Sequence, residues 1–345
     1  MTGPGETGSG RRLSGHSFHP DILREYDVRG IVGQTLFPPD GRALGAAFGA
    51  LVGREGGSTV CVGWDGRHSS PALRDALAEG LAISGRNVIA VGRGPTPMLN
   101  FAVHERGADA GVMVTGSHNP GNHNGFKMAF GPGCGGGRPV FGAEIRELGR
   151  SAAAGFDAAA VPGETGAIDV ADAYTDRLIA ELGDADLSPL TAVWDCGNGA
   201  AGEIAARLTG RLAGTHHLLF AEIDGDFPNH HPDPTVAANL ADLQAAVTRH
   251  GADVGIAFDG DGDRIGIVDD SGAILWADQM MVYFAADLLR QHPGARVIAD
   301  VKASRVFFDE AARLGGRPEM YRTGHSPIKS RMQETGAPMA GEMSG

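Results

Sequence analysis

Three carboxylates stand at alternate positions in Asp259-Gly260-Asp261-Gly262-Asp263-Arg264, directly after the apolar run Val254–Phe258. Glycines between them let the backbone fold back, so each carboxylate can offer one oxygen to a single hard cation. Mg2+ suits such a set, above all where a phosphate adds a further oxygen. Without a cation, carboxylates this close repel one another; a solvated acidic turn is the plainer alternative. An EF-hand loop is excluded, because Arg264 and Asp270 stand where that loop requires Gly and Glu.

A second turn, Thr115-Gly116-Ser117-His118-Asn119-Pro120, also follows an apolar run. Gly116 lets the chain bend and expose the hydroxyl, and Pro120 closes the turn. The segment reads as a presented nucleophile or phosphoacceptor, or as an ordinary polar turn. It is not the G-x-S-x-G elbow of hydrolases, since Asn119 stands where the second glycine belongs. Gly197–Gly202 satisfies G-x-G-x-x-G, with Glu222 20 residues beyond Gly202. That is the dinucleotide fingerprint on paper, or simply a tight strand–helix turn. Arg24, Arg29, Arg67, Lys127, Arg264, Lys302 and Lys329 stand singly beside these turns. They are solvated charges or the lining of one anion-binding cleft. Strand-then-Asp-x-Asp is also similar to haloacid-dehalogenase-type phosphatases, although those carry Thr or Val where this chain has Asp263. An aspartyl-phosphate at Asp259 is therefore the alternative chemistry.

The elements that must position these turns follow from apolar runs and glycine breaks. Strands are expected at Thr59–Gly63, Asn87–Gly92 and Gly111–Thr115, with helices at Gly41–Val52, Pro71–Ser84 and Thr96–Glu105. A second unit reads as helix Ala173–Leu182, strand Ala192–Asp195, helix Ala200–Leu208, strand Leu218–Ile223, helix Ala238–His250 and strand Val254–Phe258. A third opens on a hairpin, Ile265–Val268 with Ala273–Trp276. Helix Gln279–Arg290, strand Arg296–Asp300, helix Arg305–Leu314 and strand Glu319–Arg322 continue it. This alternation predicts an α/β fold of consecutive three-layer α/β/α domains with mixed sheets around a central cleft. The expected divisions are a disordered tail over 1–17, a phosphoacceptor domain over 18–160, a domain ending in the metal loop over 161–268, and an incomplete domain over 269–345.

Composition narrows the function. The 345 residues carry 29 Lys+Arg against 42 Asp+Glu, a net charge of −13, which disfavours nucleic acid and anionic membrane as partners. Aromatics at 6% argue against a stacking platform for single strands. The longest apolar run, near Met280–Leu289, is too short to span a bilayer. Cys61, Cys134 and Cys196 are isolated, so neither a disulfide framework nor a structural zinc is expected, and the reading is a reducing, cytoplasmic compartment. The 13 histidines show no ligand spacing. Oligomeric state is left open.

Taken in order, Arg24–Gly30, Thr115–Pro120, Gly125-Phe126-Lys127, Phe227–Pro234, Asp259–Arg264, Thr323-Gly324-His325 and Gly341–Gly345 resemble the α-D-phosphohexomutase family, across about Phe18 to Gly345. The Tyr-Asp-Val-Arg-Gly start and the serine loop are most similar to its bacterial phosphomannomutase/phosphoglucomutase branch. The resemblance implies an isomerase that interconverts hexose 1- and 6-phosphates. Ser117 would carry the phosphoryl group, and Mg2+ would bind Ser117, Asp259, Asp261 and Asp263. Arg264 would neutralise charge, and Lys127 with Arg29 would assist proton transfer. Tyr26, His118, Lys302, His325, Glu342 and Ser344 would bind the sugar phosphate. Glucose 1,6-bisphosphate or mannose 1,6-bisphosphate would serve as activator. The family continues with a fourth domain, and the expectation from sequence is that this chain stops short of it and turns over poorly; a sugar-phosphate-binding remnant is the non-enzymatic alternative.

Overall fold

The computed structural model describes residues 12–343. Residues 1–11 and 344–345, Ser344 among them, lie outside that range. Residues 12–17, expected to belong to a disordered tail, are instead held: Arg12–Leu13 pairs with Phe156–Asp157, and His16 Nε2 lies 2.7 Å from Asp40 Oδ1.

Three α/β units follow one another. The first sheet runs in the order Val28–Ile31, His123–Phe130, Ala110–Val114, Thr59–Trp64, Asn87–Arg93, Thr165–Ala167. His123–Phe130 is antiparallel to both its neighbours, Val28–Ile31 and Ala110–Val114, and the remaining junctions are parallel. Ala110–Val114 is buried along its whole length, as an internal strand covered by helices on both faces must be.

The second sheet orders Thr215–Leu219, Thr191–Asp195, Val254–Phe258, Ile265–Asp269, Ile274–Leu275. Two expectations are corrected here. The hairpin placed at the start of the third unit is the antiparallel edge of this sheet, bonded to Val254–Phe258. The strand expected at Leu218–Ile223 lies earlier, because Phe220 takes φ 50° and turns the chain out of the sheet.

The third sheet orders Arg317–Tyr321, Arg296–Asp300, Met339–Gly341, all parallel, with helices Ala277–Gln291, Arg305–Arg313 and His325–Thr335 around it. Each unit thus has at least one strand with a parallel neighbour on both sides, among them Thr59–Trp64, Thr191–Asp195 and Arg296–Asp300. A fully or almost fully buried aspartate closes each of these three, Asp65, Asp195 and Asp300. The carboxyl ends of parallel strands are where α/β folds place their ligands. The first two units share apolar packing, since Ile204 is buried in one cluster with Met98 and Leu99. Among the described residues no helix is long and apolar enough to cross a membrane, and all three cysteines are free and buried.

Candidate active site

The Thr115–Pro120 turn leaves the buried strand Ala110–Val114 and is tied down from below by Asp65. That carboxylate accepts from Thr115 Oγ1 at 2.8 Å, Gly116 N at 3.0 Å and Arg67 Nε at 3.1 Å. Its other oxygen accepts from Ser70 Oγ at 2.5 Å and Arg67 N at 3.0 Å. Thr115 Oγ1 in turn accepts from Ser117 N at 2.8 Å. Within this frame Ser117 is buried and takes φ 50°, a left-handed conformation that costs a side-chain-bearing residue energy and persists only where surroundings impose it. Its Oγ donates to Asp259 Oδ2 at 3.0 Å and lies 3.3 Å from His118 Nδ1.

Asp259 is the first carboxylate of the acidic loop, which caps Val254–Phe258. Its Oδ1 accepts from the backbone N–H groups of Asp263 at 3.0 Å and Arg264 at 3.2 Å. Gly260 brings this loop against the serine loop: a Cβ there would lie 2.3 Å from Ser117 O. Asp261 Oδ2 accepts from Thr96 Oγ1 at 2.5 Å and Lys127 Nζ at 2.7 Å, and Lys127 also reaches Asp263 Oδ2 at 2.6 Å. Asp261 Oδ1 is buried with no hydrogen-bond partner among the described residues.

One oxygen from each of Asp259, Asp261 and Asp263 lies within 4.8 Å of the others. An all-oxygen donor set with one orphaned buried oxygen fits a hard divalent cation. The titration directions agree with a site short of positive charge. Burial, then Asp261 and Asp263, pushes Asp259 well above the usual carboxylate range. Burial would raise Asp261 too, but Lys127 and Thr96 outweigh it and hold that carboxyl low. Burial would lower Lys127, yet the three carboxylates win and strengthen its hold on the proton.

The Gly197–Gly202 turn does not form a dinucleotide site. Ala200 N donates to Gly260 O at 3.0 Å, so the turn is packed against the acidic loop where a pyrophosphate would have to lie. It holds the acidic loop in place, with Asp195 accepting from Gly197 N at 2.9 Å at its base.

The third unit closes the cleft. Tyr26 Oη donates to Thr323 O at 3.1 Å, and Gly324, at φ 127°, leaves room for the Tyr26 ring, which a Cβ would approach at 2.7 Å. Glu342 Oε1 accepts from Gly324 N at 2.6 Å, and burial raises its carboxyl. Asp300 joins the two third-unit loops, accepting from Thr323 Oγ1 at 2.9 Å and Met343 N at 3.4 Å. Burial, then Lys329 and Lys127, pushes His325 down to about 3. Burial, then Arg264, pushes His118 down to about 4. Both imidazoles are neutral near pH 7.

Tyr26, Arg29, Ser117, His118, Lys127, Asp263, Arg264, His325 and Glu342 all line one cleft of ≈ 620 Å³, within the range of small-ligand sites. Asp259 and Asp261 lie beneath it, completely buried. Arg29 is itself buried, donating to Gly116 O and paired with Asp27. Lys302 stands apart from the cleft lining, its side chain 53% exposed and 3.6 Å from Asp300 Oδ2. Arg67 is neither a solvated charge nor part of the lining: it is 1% exposed. Sequence reasoning missed Asp65, Thr96 and Asp300. Asp65 and Asp300 share one signal with Asp195, an aspartate directly ending an apolar run.

Family models described as phosphoglucomutase/phosphomannomutase, alpha/beta/alpha domains I, II and III match residues 20–149, 172–272 and 276–345. Over 328 residues the chain is 43% identical to a phosphomannomutase/phosphoglucomutase of Pseudomonas putida, covering 94% of this chain and 69% of that protein. A phosphoglucomutase of Neisseria gonorrhoeae is 43% identical over 326 residues, with the same coverage. Among solved structures, a phosphoglucomutase/phosphomannomutase family protein of Burkholderia thailandensis superposes with a TM-score of 0.87 at 42% identity, covering 95% of this chain and 72% of that one.

Proposed function

The chain belongs to the phosphoglucomutase/phosphomannomutase family of isomerases, and from that premise we propose that it interconverts the 1- and 6-phosphates of mannose, glucose or both. The observation that carries this reading is Ser117, held left-handed with its Oγ 3.0 Å from Asp259, at the floor of a cleft lined with cations. Ser117 carries the phosphoryl group. In transfer, the bond between phosphorus and Ser117 Oγ breaks and a bond to a sugar hydroxyl forms. The resulting hexose 1,6-bisphosphate reorients and returns its other phosphate to Ser117.

Such transfer depends on positioning and charge neutralisation. Ser117, Asp259, Asp261 and Asp263 would hold Mg2+, which when bound supplies positive charge to the phosphoryl oxygens. Arg264, at the mouth of the acidic loop, adds a second positive charge. The attacking sugar hydroxyl gives up its proton and Ser117 Oγ takes one up as it leaves; Lys127, which the carboxylates keep protonated at Nζ, and Arg29 assist that proton transfer by stabilising the negative charge on the reacting oxygens. Glu342 accepts from sugar hydroxyls, and Ser344 would bind them too. Tyr26, His118 and His325 orient the sugar phosphate within the cleft, and Lys302 would reach it from outside the lining. Glucose 1,6-bisphosphate, or its mannose counterpart, loads Ser117 with its first phosphate.

Peptide mass spectrometry tests this. The tryptic peptide Gly107–Lys127 has only Thr115 and Ser117 as hydroxyl candidates. Phosphate is expected on Ser117 after exposure to glucose 1,6-bisphosphate, and is lost on incubation with a hexose monophosphate. Phosphate on Asp259, or none on Ser117, overturns the reading.

A further inference from the structure

Arg67 is buried beneath the serine loop and touches none of the reacting groups, yet every one of its N–H donors is used there. Nη2 donates to Ser117 O at 2.8 Å and Asn119 O at 2.6 Å. Nη1 donates to Pro120 O at 2.6 Å and His123 O at 3.1 Å. Nε donates to Asp65 Oδ2 at 3.1 Å. A guanidinium has five such donors in one rigid plane, and here four carbonyls, three of the serine loop and one at the start of the strand that follows it, are fitted to that plane. Gly116 lies flat against it, since a Cβ there would stand 2.2 Å from Arg67 Cζ. The Phe227 ring, from the second unit and itself at φ 51°, sits 5.1 Å from Arg67 Cζ. Phe227 thereby couples the acidic-loop unit to the backbone that carries Ser117.

We propose that Arg67 is a positioning residue for phosphoryl transfer, a template that holds the Ser117 backbone left-handed and its Oγ toward Asp259. The inference rests on Ser117 as phosphoacceptor. Lysine cannot replace it, because a point charge with three donors cannot meet four divergent carbonyls. Misplacing a reacting atom by about 1 Å costs on the order of 100-fold in rate. Arg67→Lys keeps the charge facing Asp65 and should therefore slow transfer by about that factor, leaving hexose phosphate affinity within about three-fold.

The test loads Ser117 from 32P-labelled glucose 1,6-bisphosphate, adds excess glucose 1-phosphate, and follows loss of protein-bound label in a single turnover. The first-order rate constant does not depend on how much protein is folded, whereas the amplitude does. A merely structural role therefore lowers amplitude and melting temperature alone. A wild-type rate constant in Arg67→Lys overturns the inference while leaving Ser117 as phosphoacceptor intact. Absence of label on Ser117 in the wild type overturns both. Should Arg67→Lys fail to fold, Phe227→Leu decides: it uncaps the guanidinium without unpairing any buried charge. A rate about ten-fold lower supports the template, and an unchanged rate overturns it.

Discussion

Two corners of the cleft are built on one device and finished differently. Asp65 and Asp300 each close a strand flanked by parallel neighbours, and each is buried. Asp65 accepts bonds from Arg67, Ser70, Thr115 and Gly116, all at 3.1 Å or less, and its partner Arg67 captures the rest of the serine loop. Asp300 holds two separate loops by Thr323 at 2.9 Å and Met343 at 3.4 Å, with a half-exposed Lys302 at 3.6 Å. The first corner is preorganised, as fits the place where bonds are exchanged. The third-unit corner retains slack, as the proposed reorientation of a hexose bisphosphate would require. Changes in the first corner should lower kcat, and changes in the third should raise KM.

The largest effect is expected from Ser117→Ala. Losing the group that carries the phosphoryl should lower kcat by about 10⁴-fold or more, while hexose phosphate binding, read by calorimetry, persists. Measurable turnover near wild type would place the chemistry elsewhere. Chelation comes next: removing divalent cations should abolish turnover, and Mg2+ should restore it. Asp261→Asn, which keeps the shape but weakens the orphaned oxygen, should raise the Mg2+ needed for half-maximal activity by about ten-fold or more. If the Mg2+ requirement is unchanged, Asp261 is not a ligand. Glu342→Gln probes the slack corner. It keeps an acceptor but no charge, and KM should rise about ten-fold, on the order of 1.4 kcal/mol, with kcat within about three-fold. A kcat loss equal to that of a first-corner variant would erase the distinction.

What was legible in the sequence depended on how local the physics was. Ser117 and the three aspartates could be singled out because each set lies on one short turn after an apolar run, so residue type and spacing suggested the chemistry proposed for them. The hairpin Ile265–Asp269 with Ile274–Leu275 was legible as a hairpin but not as the edge of the second sheet. Membership is decided by hydrogen bonding to Val254–Phe258, which no local pattern records. The strand at Thr215–Leu219 was displaced in the reading because Leu218–Ile223 is the more apolar window, while the left-handed Phe220 ends extension there. Arg67 stood out only as one of seven basic residues beside the turns, and nothing in the sequence marked its place beneath the serine loop. Its five partners lie 2 to 56 residues away and are mostly backbone carbonyls, which have no residue identity. Asp65, Asp195 and Asp300 become conspicuous only when all three strand ends are laid side by side.

The smallest effect sharpens the contrast by what stays constant. His325 stands at the slack corner beside Tyr26, with burial and the nearby Lys329 and Lys127 pushing it down to about 3. In the unfolded chain it titrates near 6.5. Between those values the unfolded state binds the additional proton, so stability falls as pH drops from about 6.5 toward 3 and is unaffected by this group above that window. His325→Gln should flatten that acid limb by up to about 1.4 kcal/mol per pH unit, read from urea midpoints at several pH values. Activity follows the same logic. A neutral imidazole both donates to and accepts from sugar hydroxyls, which a charged one cannot do. The kcat/KM profile between pH 6 and 8 should therefore keep its shape in His325→Gln while its height drops. A limb near pH 6.5 that disappears in the variant would mean the imidazole is charged in the working enzyme, and the third-unit corner would then belong with the electrostatic machinery around Ser117.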